Sequence, residues 1–419
     1  MRMVDDKAAE AYVRLLESRS SRFGEVEPAV KKIVEEVRRE GDQALLKYAR
    51  KLDGLEAKQG LRVSEGEMRK ALQAASPKLR SALRAAEKNI RRFCEWQKPK
   101  GWTRSLGGAS LGQLVRPLDS VGCYVPGGRF PLLSTLLMTV IPAQVAGVKN
   151  IRVVSPKPDA EVLAAAATLG IREFYRAGGA QAIAALAYGT ETITRVDKIV
   201  GPGNLYVTAA KKLVSFDCAI DMLAGPTEVV IVSDHGNPAF IAADLVAQAE
   251  HDPETLAVFI TRSKKLGDAV SECVRDGAEN FQPVHANAIA AKSIASRGAI
   301  LIAKSRRQAF EWANRIAPEH ITVEKSDLAF VKNAGSIFMG DYSAQAAGDY
   351  ATGPNHVLPT AGAARFRGGL SVMDFVKIIT VQELSARGLR NVSRPIITLA
   401  ETEGLRAHAD SIRVRCADA

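Results

Sequence analysis

Two residues that can bind a metal stand three positions apart near the end of a predicted helix. They are Gln248 and His251 in the run QAEH, and residues three apart share one face of a helix. Imidazole is a common zinc ligand, whereas a glutamine carbonyl is an unusual one. The spacing leaves two interpretations open, a pair of metal ligands and a histidine that only caps the helix.

A carboxylate and an imidazole are adjacent at Glu319 and His320, where a strand is predicted to start. Adjacent side chains point to opposite faces within a strand, but at its entrance both can reach one cleft. The two groups are general bases with different ordinary pKa values. The alternative is a surface pair without a catalytic role.

Further carboxylates and imidazoles are paired towards the end of the chain. Asp349 and His356 are seven positions apart in a glycine-rich loop, and Glu403 and His408 are five apart in the last segment. With the helix-end pair they offer the oxygen and imidazole ligands that suit Zn²⁺. The candidate metal set is Gln248, His251, Asp349, Glu403 and His408.

Three glycine turns follow predicted strands and precede predicted helices. Their sequences are YVPGG at 124–128, AGGAQ at 177–181 and GPGNLY at 201–206. The last approaches the dinucleotide fingerprint but has Tyr206 in place of the third glycine. Helix N-termini hold anions with backbone N–H groups, and such turns at strand ends predict a crevice along the carboxyl edge of a sheet. A single glycine turn is also expected in any αβ unit, whether or not the turn binds a ligand.

The elements that hold these residues change character along the chain. Helical periodicity covers 26–41 and 65–97, with a new helix starting at Pro77, and a glycine-rich loop is expected at 101–112. From residue 114, β-branched runs alternate with alanine-rich helical segments. The predicted strands are 120–125, 151–155, 173–176, 198–201, 228–233, 256–261, 299–303, 320–323 and 336–339.

This alternation predicts an α/β fold. We expect two mainly parallel, incomplete Rossmann-like sheets covered by helices, plus small helical extensions at both ends. The expected segments are a helical extension (1–24), a first α/β domain with the metal and catalytic residues (25–123 and 229–370), a second α/β domain with the glycine turns (124–228) and a C-terminal extension (371–419). The last is predicted as short helices at 372–387 and 401–411. A segment of that size cannot form its own core, so it should pack on the body or on another subunit.

Composition excludes several classes of protein. The 419 residues are 47% hydrophobic and 25% charged, as in folded soluble proteins. The longest apolar stretch, 135–146, is too short to span a membrane. Two acids in the first six residues argue against a signal peptide. Five cysteines without a C-x-x-C pair exclude a disulfide scaffold and fit a reducing cytoplasm.

The chain is basic, with a net charge of +11. Residues 78–104 carry nine Lys or Arg against two Glu, interleaved with Phe93, Trp96 and Trp102. Such a pattern resembles a nucleic-acid patch. We favour a solvated helix face with the aromatic side chains in the core, because a charge count does not show that the charges share one face.

From about residue 26 to 414 the chain resembles the histidinol dehydrogenase family. Many motifs occur in one order, which is far more specific than any single motif. They are VGCYVPGG (121–128), AGGAQ (177–181), GPGN (201–204), AGPTE (224–228), QAEH (248–251), APEH (317–320), AGD (347–349), GPNHVLPT (353–360), TVQEL (380–384) and the Glu403 and His408 pair.

The resemblance implies an enzyme that oxidises L-histidinol twice, through a bound aldehyde, to L-histidine and reduces two NAD⁺. It implies one zinc per subunit, held by the residues matching Gln248, His251, Asp349 and His408. Glu319 and His320 match the acid–base pair of the family. The sequence leaves open whether zinc orients the substrate or acts as a Lewis acid.

The resemblance also implies how the ligands and subunits are arranged. Tyr124, Gln181 and Asn204 match positions that contact NAD⁺. Positions that contact substrate match Thr227, His356 and Glu403, together with Gln248, His251, His320, Asp349 and His408. Members are cytoplasmic homodimers whose C-terminal tail reaches the neighbour's active site, and neither a nucleic acid nor a membrane is an expected partner.

Three departures from the family pattern bear on the substrate. Thr227 stands where serine is usual, and its hydroxyl keeps the hydrogen-bonding capacity. Residues 129–131, which begin with Arg129, and the run 362–369, which holds Arg365 and Arg367, resemble related dehydrogenases that oxidise sulfonated diols. The alternative function is therefore a dehydrogenase of another small polar alcohol.

Overall fold

The computed structural model describes residues 1–19, 23–127, 132–280 and 284–417 of the chain. The strands are β1 (Arg2–Asp5), β2 (Arg62–Val63), β3 (Trp102–Leu106), β4 (Ala109–Pro117), β5 (Ser120–Tyr124), β6 (Asn150–Val154), β7 (Glu173–Tyr175), β8 (Lys198–Val200), β9 (Ala219–Ile220), β10 (Glu228–Val232), β11 (Leu256–Thr261), β12 (Ala299–Ile302), β13 (His320–Val323), β14 (Ser336–Met339) and β15 (Val376–Leu384).

The α-helices are α1 (Asp6–Glu17), α2 (Phe23–Glu40), α3 (Asp42–Tyr48), α4 (Glu65–Ala74), α5 (Pro77–Gln97), α6 (Leu133–Ala146), α7 (Ala160–Thr168), α8 (Gly179–Tyr188), α9 (Leu205–Val214), α10 (Pro238–Ala249), α11 (Lys264–Asn280), α12 (Val284–Arg297), α13 (Arg306–Ile316), α14 (Gln345–Tyr350), α15 (Ala386–Thr402) and α16 (Arg406–Ala417). A short π-helix (Ala49–Asp53) and three 3₁₀ turns (Lys325–Phe330, Ala363–Arg365 and Val372–Phe375) complete the elements. None of these described helices is both long and apolar enough to cross a bilayer.

The first sheet has six parallel strands in the order β1-β12-β11-β10-β13-β14. Its central strands β10 and β11 are buried along their whole length, as expected where helices cover both faces. Helices α1 and α13 pack on one face, and α10, α11 and α12 pack on the other.

The second sheet has the order β2-β7-β6-β5-β8-β9, with five parallel strands and an antiparallel edge strand β2. Alternate residues of β5 face opposite sides: Val121 and Cys123 join the core under α5, α6 and α7, whereas Tyr124 joins the core under α2, α8 and α9. The predicted fold class, two helix-covered and mainly parallel sheets, is confirmed.

The grouping of segments differs from the predicted domain limits in three places. The N-terminal segment is not only helical, because β1 pairs with β12 and completes the first sheet. Helices α2 to α5 bury their apolar faces on the second sheet and not on the first. Strand β5 is central in the second sheet, hydrogen-bonded to both β6 and β8, although most of it was expected in the first domain. A strand is part of the sheet whose strands hydrogen-bond to it on both sides.

A third sheet, with the antiparallel order β15-β4-β3, was not predicted. Residues 101–112 were expected as a loop and 372–387 as a helix, and both predictions are wrong. Gly107 and Gly108 have φ of +60° and +87°, which allows the tight turn between β3 and β4. The β-branched run of β15, VKIITV, favours a strand over a helix.

The third sheet and helices α15 and α16 form an arm, residues 102–117 and 376–417. Most of β15 is exposed, including the apolar side chains of Ile378, Ile379 and Val381. The tryptophans expected in the core are exposed as well: Trp96, on α5, to 74% and Trp102, on β3, to 48%. The arm thus presents apolar surface that the described part of this chain does not cover.

Candidate active site

The catalytic candidates lie at the amino ends of two neighbouring strands. β10 and β13 are parallel, with Val229 opposite His320, so Thr227 before β10 and Glu319 before β13 enter the same space. The glycine turns instead follow β5, β7 and β8 at the carboxyl edge of the second sheet. Hydrogen bonds such as that from Asn355 Nδ2 to the Met138 carbonyl, 2.6 Å, join the two regions.

Glu319 is buried, and its carboxylate is held on one side. Its Oε2 atom accepts a hydrogen bond from the Thr227 hydroxyl and another, 3.0 Å long, from the Glu228 backbone N–H. Burial raises the pKa of Glu319 to about 7, although His320 and these hydrogen bonds act in the opposite direction. A carboxyl group with this pKa exchanges protons near neutral pH, as a general base must.

His320 lies between two carboxylates. Its Nδ1 atom is 3.2 Å from the Glu228 carbonyl oxygen and 3.7 Å from Glu319 Oε2, and its Nε2 atom is 3.5 Å from Asp349 Oδ1. Burial alone would lower the pKa of His320, but Glu319 and Asp349 outweigh it and raise the pKa to about 9. The contact of Nε2 with Asp349 is too long or too poorly aligned for a hydrogen bond, and among the described residues Nε2 has no hydrogen-bond partner.

Three of the predicted metal ligands are brought together. Gln248 Nε2 donates to Asp349 Oδ2 over 3.2 Å. His251 Nδ1 lies 3.2 Å from the carbonyl oxygens of Ala247 and Gln248, an arrangement in which Nε2 is the ring nitrogen that could bind a metal. Burial opposes ionisation of Asp349, yet His320 holds its pKa below the ordinary value.

His356 joins the same cluster. Its Nδ1 atom is 2.8 Å from the Asp349 carbonyl oxygen, and Nε2 is 3.4 Å from Thr135 Oγ1. Burial lowers the pKa of His356, which favours the neutral ring. A neutral imidazole can both donate and accept hydrogen bonds, which suits contact with a polar substrate.

The remaining predicted residues, Glu403 and His408, are not in this cluster. Both side chains are exposed at the end of the arm, and within the described chain neither hydrogen-bonds the cluster. Over these same residues no group of three or more His, Cys, Asp or Glu is arranged to hold a metal. Of the predicted ligands, the described part of one chain brings together a glutamine amide, one imidazole and one carboxylate, which is fewer than the four donors of a tetrahedral zinc ion.

The three predicted NAD⁺ contacts line one cleft of about 600 Å³. The Tyr124 hydroxyl accepts the Gly179 N–H over 3.2 Å, and burial raises its pKa to about 12. Asn204 Oδ1 accepts the N–H groups of Tyr206 and Val207, both at 3.1 Å, and so caps α9. The volume falls in the range of ligand-binding clefts.

Sequence reasoning missed Asp53, which lines the same cleft. Its Oδ2 atom accepts the Gly178 N–H over 2.8 Å and the Gln181 Nε2 over 3.1 Å. These contacts fix the orientation of the Gln181 amide and leave its Oε1 without a partner among the described residues. Asp53 is the last residue of the short π-helix, and nothing in the sequence around it indicates a ligand site.

Sequence reasoning also gave no role to Glu228, although it lies in the AGPTE motif. Its side chain accepts hydrogen bonds from Arg19 Nε, 2.8 Å, and from the Ala361 N–H, 3.0 Å. Burial raises the pKa of Glu228, and Arg19 opposes that effect. The backbone of Glu228 contacts both Glu319 and His320. The ion pair between Arg19 and Glu228 therefore fixes the backbone that holds the two catalytic candidates.

The arginines that suggested a sulfonated substrate bind the protein itself. Arg365 donates to the carbonyl oxygens of Arg315 and Gly362. Arg367 donates to the carbonyl oxygens of Asp221 and Gly368. Neither gives support to the alternative substrate, and residues 129–131 lie outside the described residues.

The sequence is similar to known proteins over most of its length. A profile of the histidinol dehydrogenase family matches residues 16–416. The chain is 46% identical over 398 residues to the histidinol dehydrogenase of Methanothermobacter thermautotrophicus, covering 92% of each chain. It is 44% identical over 403 residues to that of Geobacter sulfurreducens, covering 93% of each chain.

The fold comparison gives the same result. The structure is similar to that of histidinol dehydrogenase from Elizabethkingia anophelis, with a TM-score of 0.94 and 35% identity over 100% of this chain and 98% of that one. An acetylating aldehyde dehydrogenase from Geobacillus thermoglucosidasius reaches a TM-score of 0.50 at 11% identity, covering 90% of this chain and 95% of that one. At that identity the likeness shows a shared fold only.

Proposed function

This chain belongs to the histidinol dehydrogenase family, and we propose that it oxidises L-histidinol through L-histidinaldehyde to L-histidine, the last steps of histidine biosynthesis, with reduction of two NAD⁺. The observation that carries the proposal is the buried pair Glu319 and His320 beside Gln248 and Asp349, in a chain that the family profile matches from 16 to 416. A dehydrogenase of sulfonated diols is not favoured.

We propose that the cleft at the carboxyl edge of the second sheet binds NAD⁺ through Tyr124, Gln181 and Asn204. Support comes from the shared lining of one cleft of about 600 Å³ and from the free Oε1 of Gln181, an acceptor for a ribose or amide donor. The N-termini of α8 and α9 also border it, and their N–H groups favour the pyrophosphate.

The first oxidation needs a base for the alcohol proton while hydride leaves the carbinol carbon for nicotinamide. We assign the base to His320, which acts from the minor neutral fraction that a pKa of about 9 leaves near neutral pH. Carboxylates on both sides stabilise the imidazolium that results. The second oxidation adds water to the aldehyde, and the hydrate then loses hydride to a second NAD⁺. We assign deprotonation of that water to Glu319, whose pKa of about 7 suits it.

The donor set fits a zinc ion whose coordination is completed by a second copy of the chain. We propose that Gln248, His251 and Asp349 hold it together with His408 of the other copy. His251 offers Nε2 because its Nδ1 faces backbone carbonyls, and His320 keeps the pKa of Asp349 below its ordinary value, which favours the carboxylate. When bound, zinc would orient the substrate's amine and imidazole or polarise its oxygen.

We propose that the protein is a homodimer whose arm carries Glu403 and His408 to the partner's active site. The apolar exposed face of β15 and the exposed positions of both residues support this arrangement. Substrate would then contact Thr227 and His356 of one copy and Glu403 of the other. The five cysteines are free thiols, which is consistent with a cytoplasmic enzyme.

The direct test is the stoichiometry of the reaction. Purified protein is given limiting L-histidinol and excess NAD⁺, with a sulfonated diol as the comparison substrate. Two NADH and one L-histidine per histidinol are expected, with no turnover of the diol. Oxidation of the diol with no reaction of histidinol would overturn the proposal.

A further inference from the structure

A fully buried ion pair lies beneath the turn 201–204. Lys211 on α9 binds the carboxylate of Asp221, and their side chains are 2% and 0% exposed. Burying two charges costs several kcal/mol per ion unless other hydrogen bonds compensate. Neither residue takes part in the chemistry described above, so the bonds that compensate for their burial indicate what the pair does.

Those bonds converge on Gly201. Asp221 Oδ2 accepts the Gly201 N–H over 2.7 Å, and Lys211 Nζ donates to the Gly201 carbonyl oxygen over 3.0 Å. Both polar groups of one turn residue are therefore held by opposite members of the pair. The position itself requires glycine, since φ is +117° and a Cβ atom would lie 2.1 Å from the Tyr124 carbonyl oxygen.

The turn fixed in this way carries Asn204 and packs against the backbone of Tyr124, two of the proposed cofactor contacts. Lys211 stands two turns into the helix that Asn204 caps, so the pair ties the strand end, the turn and the helix into one unit. Arg367 is also attached to this unit, because it donates a hydrogen bond to the carbonyl oxygen of Asp221.

We propose that Lys211 and Asp221 are positioning residues for the dinucleotide, setting the turn 201–204 and with it the affinity for NAD⁺. The inference rests on the proposed function. Loss of the Lys211 ammonium group removes the donor to the Gly201 carbonyl oxygen and leaves the Asp221 carboxyl group buried without a counter-charge. The turn then shifts, while the substrate cluster on the first sheet keeps its own contacts.

The test compares Lys211→Met with Arg152→Met. Arg152 pairs with Glu173 over 2.9 Å in the same sheet, with side chains 9% and 26% exposed, but the pair does not touch the turn. NADH affinity is measured by fluorescence titration, and KM values for NAD⁺ and histidinol by steady-state kinetics. Lys211→Met should weaken NADH binding about 10-fold, as expected for a misplaced hydrogen-bonding group, and leave KM for histidinol within about twofold.

Arg152→Met should bind NADH with the affinity of the wild type, even if it loses as much thermal stability as Lys211→Met does. Asp221→Asn keeps an acceptor for Gly201 N–H and should weaken binding about threefold; it decides the matter if Lys211→Met does not fold. Unchanged NADH affinity in the folded variants would overturn the inference. Failure of the wild type to bind NADH would instead overturn the proposed function.

Discussion

Thr227 donates its hydroxyl hydrogen to Oε2 of Glu319, the same atom that accepts the Glu228 N–H. The hydroxyl group of Thr227 is thus bonded to the proposed water-activating base. Both hydrogen bonds go to one oxygen, which leaves Oε1 as the atom available to take a proton.

Replacing Thr227 by valine should raise the pKa of Glu319, because the lost hydrogen bond favours the ionised form. Since the base must be ionised, the rise of aldehyde oxidation with pH should move to higher pH, and the rate at neutral pH should fall about 10-fold. Thr227→Ser keeps the hydroxyl and should retain the wild-type profile. The pH dependence of kcat with histidinaldehyde measures this, and an unshifted profile in Thr227→Val would contradict it.

Separate losses are expected for the two bases. His320→Asn should nearly abolish the first hydride transfer, and Glu319→Gln should reduce aldehyde oxidation more than alcohol oxidation, with losses of about 10²–10⁴-fold typical of a missing general base. Stopped-flow formation of NADH from histidinol and from histidinaldehyde separates the two steps. Normal turnover of histidinaldehyde by Glu319→Gln would show that this division of labour is wrong.

Metal removal should abolish activity and leave the fold intact, because the two sheets have apolar cores that do not include the proposed ligands. Zn²⁺ should restore activity. His251→Ala and Asp349→Ala should lower zinc content, since each removes one of few ligands, whereas His235→Ala, an exposed histidine elsewhere on the chain, should not. Elemental analysis gives the result, and full zinc occupancy in the first two variants would refute the ligand assignment.

Shared active sites predict complementation between two inactive chains. His320→Asn and His408→Ala chains are mixed and allowed to exchange subunits. In a mixed dimer one site collects both lesions and the other has none. Random pairing makes about half the dimers mixed, so activity should return to about one quarter of wild type per site in a closed two-fold dimer.

Mass spectrometry of the mixture is the control for that exchange. Mixed dimers without activity would mean that His408 serves its own chain. The arm would then have to fold back across the body, and the exposed face of β15 would need another explanation.

The parallel sheets could be predicted because each strand is a short β-branched run between turns, and the information is local. The arm could not: β15 pairs with β4, in the register Val376 to Pro117, and no local pattern specifies a partner so distant in the sequence. Asp53 was missed for the same reason, since its role comes from the Gly178 N–H. Residue types that are informative by themselves pointed to Glu319, His320 and the metal candidates, and the structure brings His320, Gln248 and Asp349 together; the roles of these residues stay predictions.

The pairing of β1 with β12 has a consequence for how the polypeptide matures. Arg2 is opposite Ala299, so strand β1 is synthesised nearly three hundred residues before the strand with which it pairs. The strands of the second sheet all end by residue 220 and can pair while synthesis continues, although the core on one face of that sheet also takes in Val357, Leu370 and Phe375. Parallel pairing of strands that are far apart in the sequence is slow. Until the partner strand is available, the unpaired strand edge can pair wrongly. The first sheet, which carries the proposed catalytic residues, is therefore the part whose folding should depend most on chaperones and on the speed of translation.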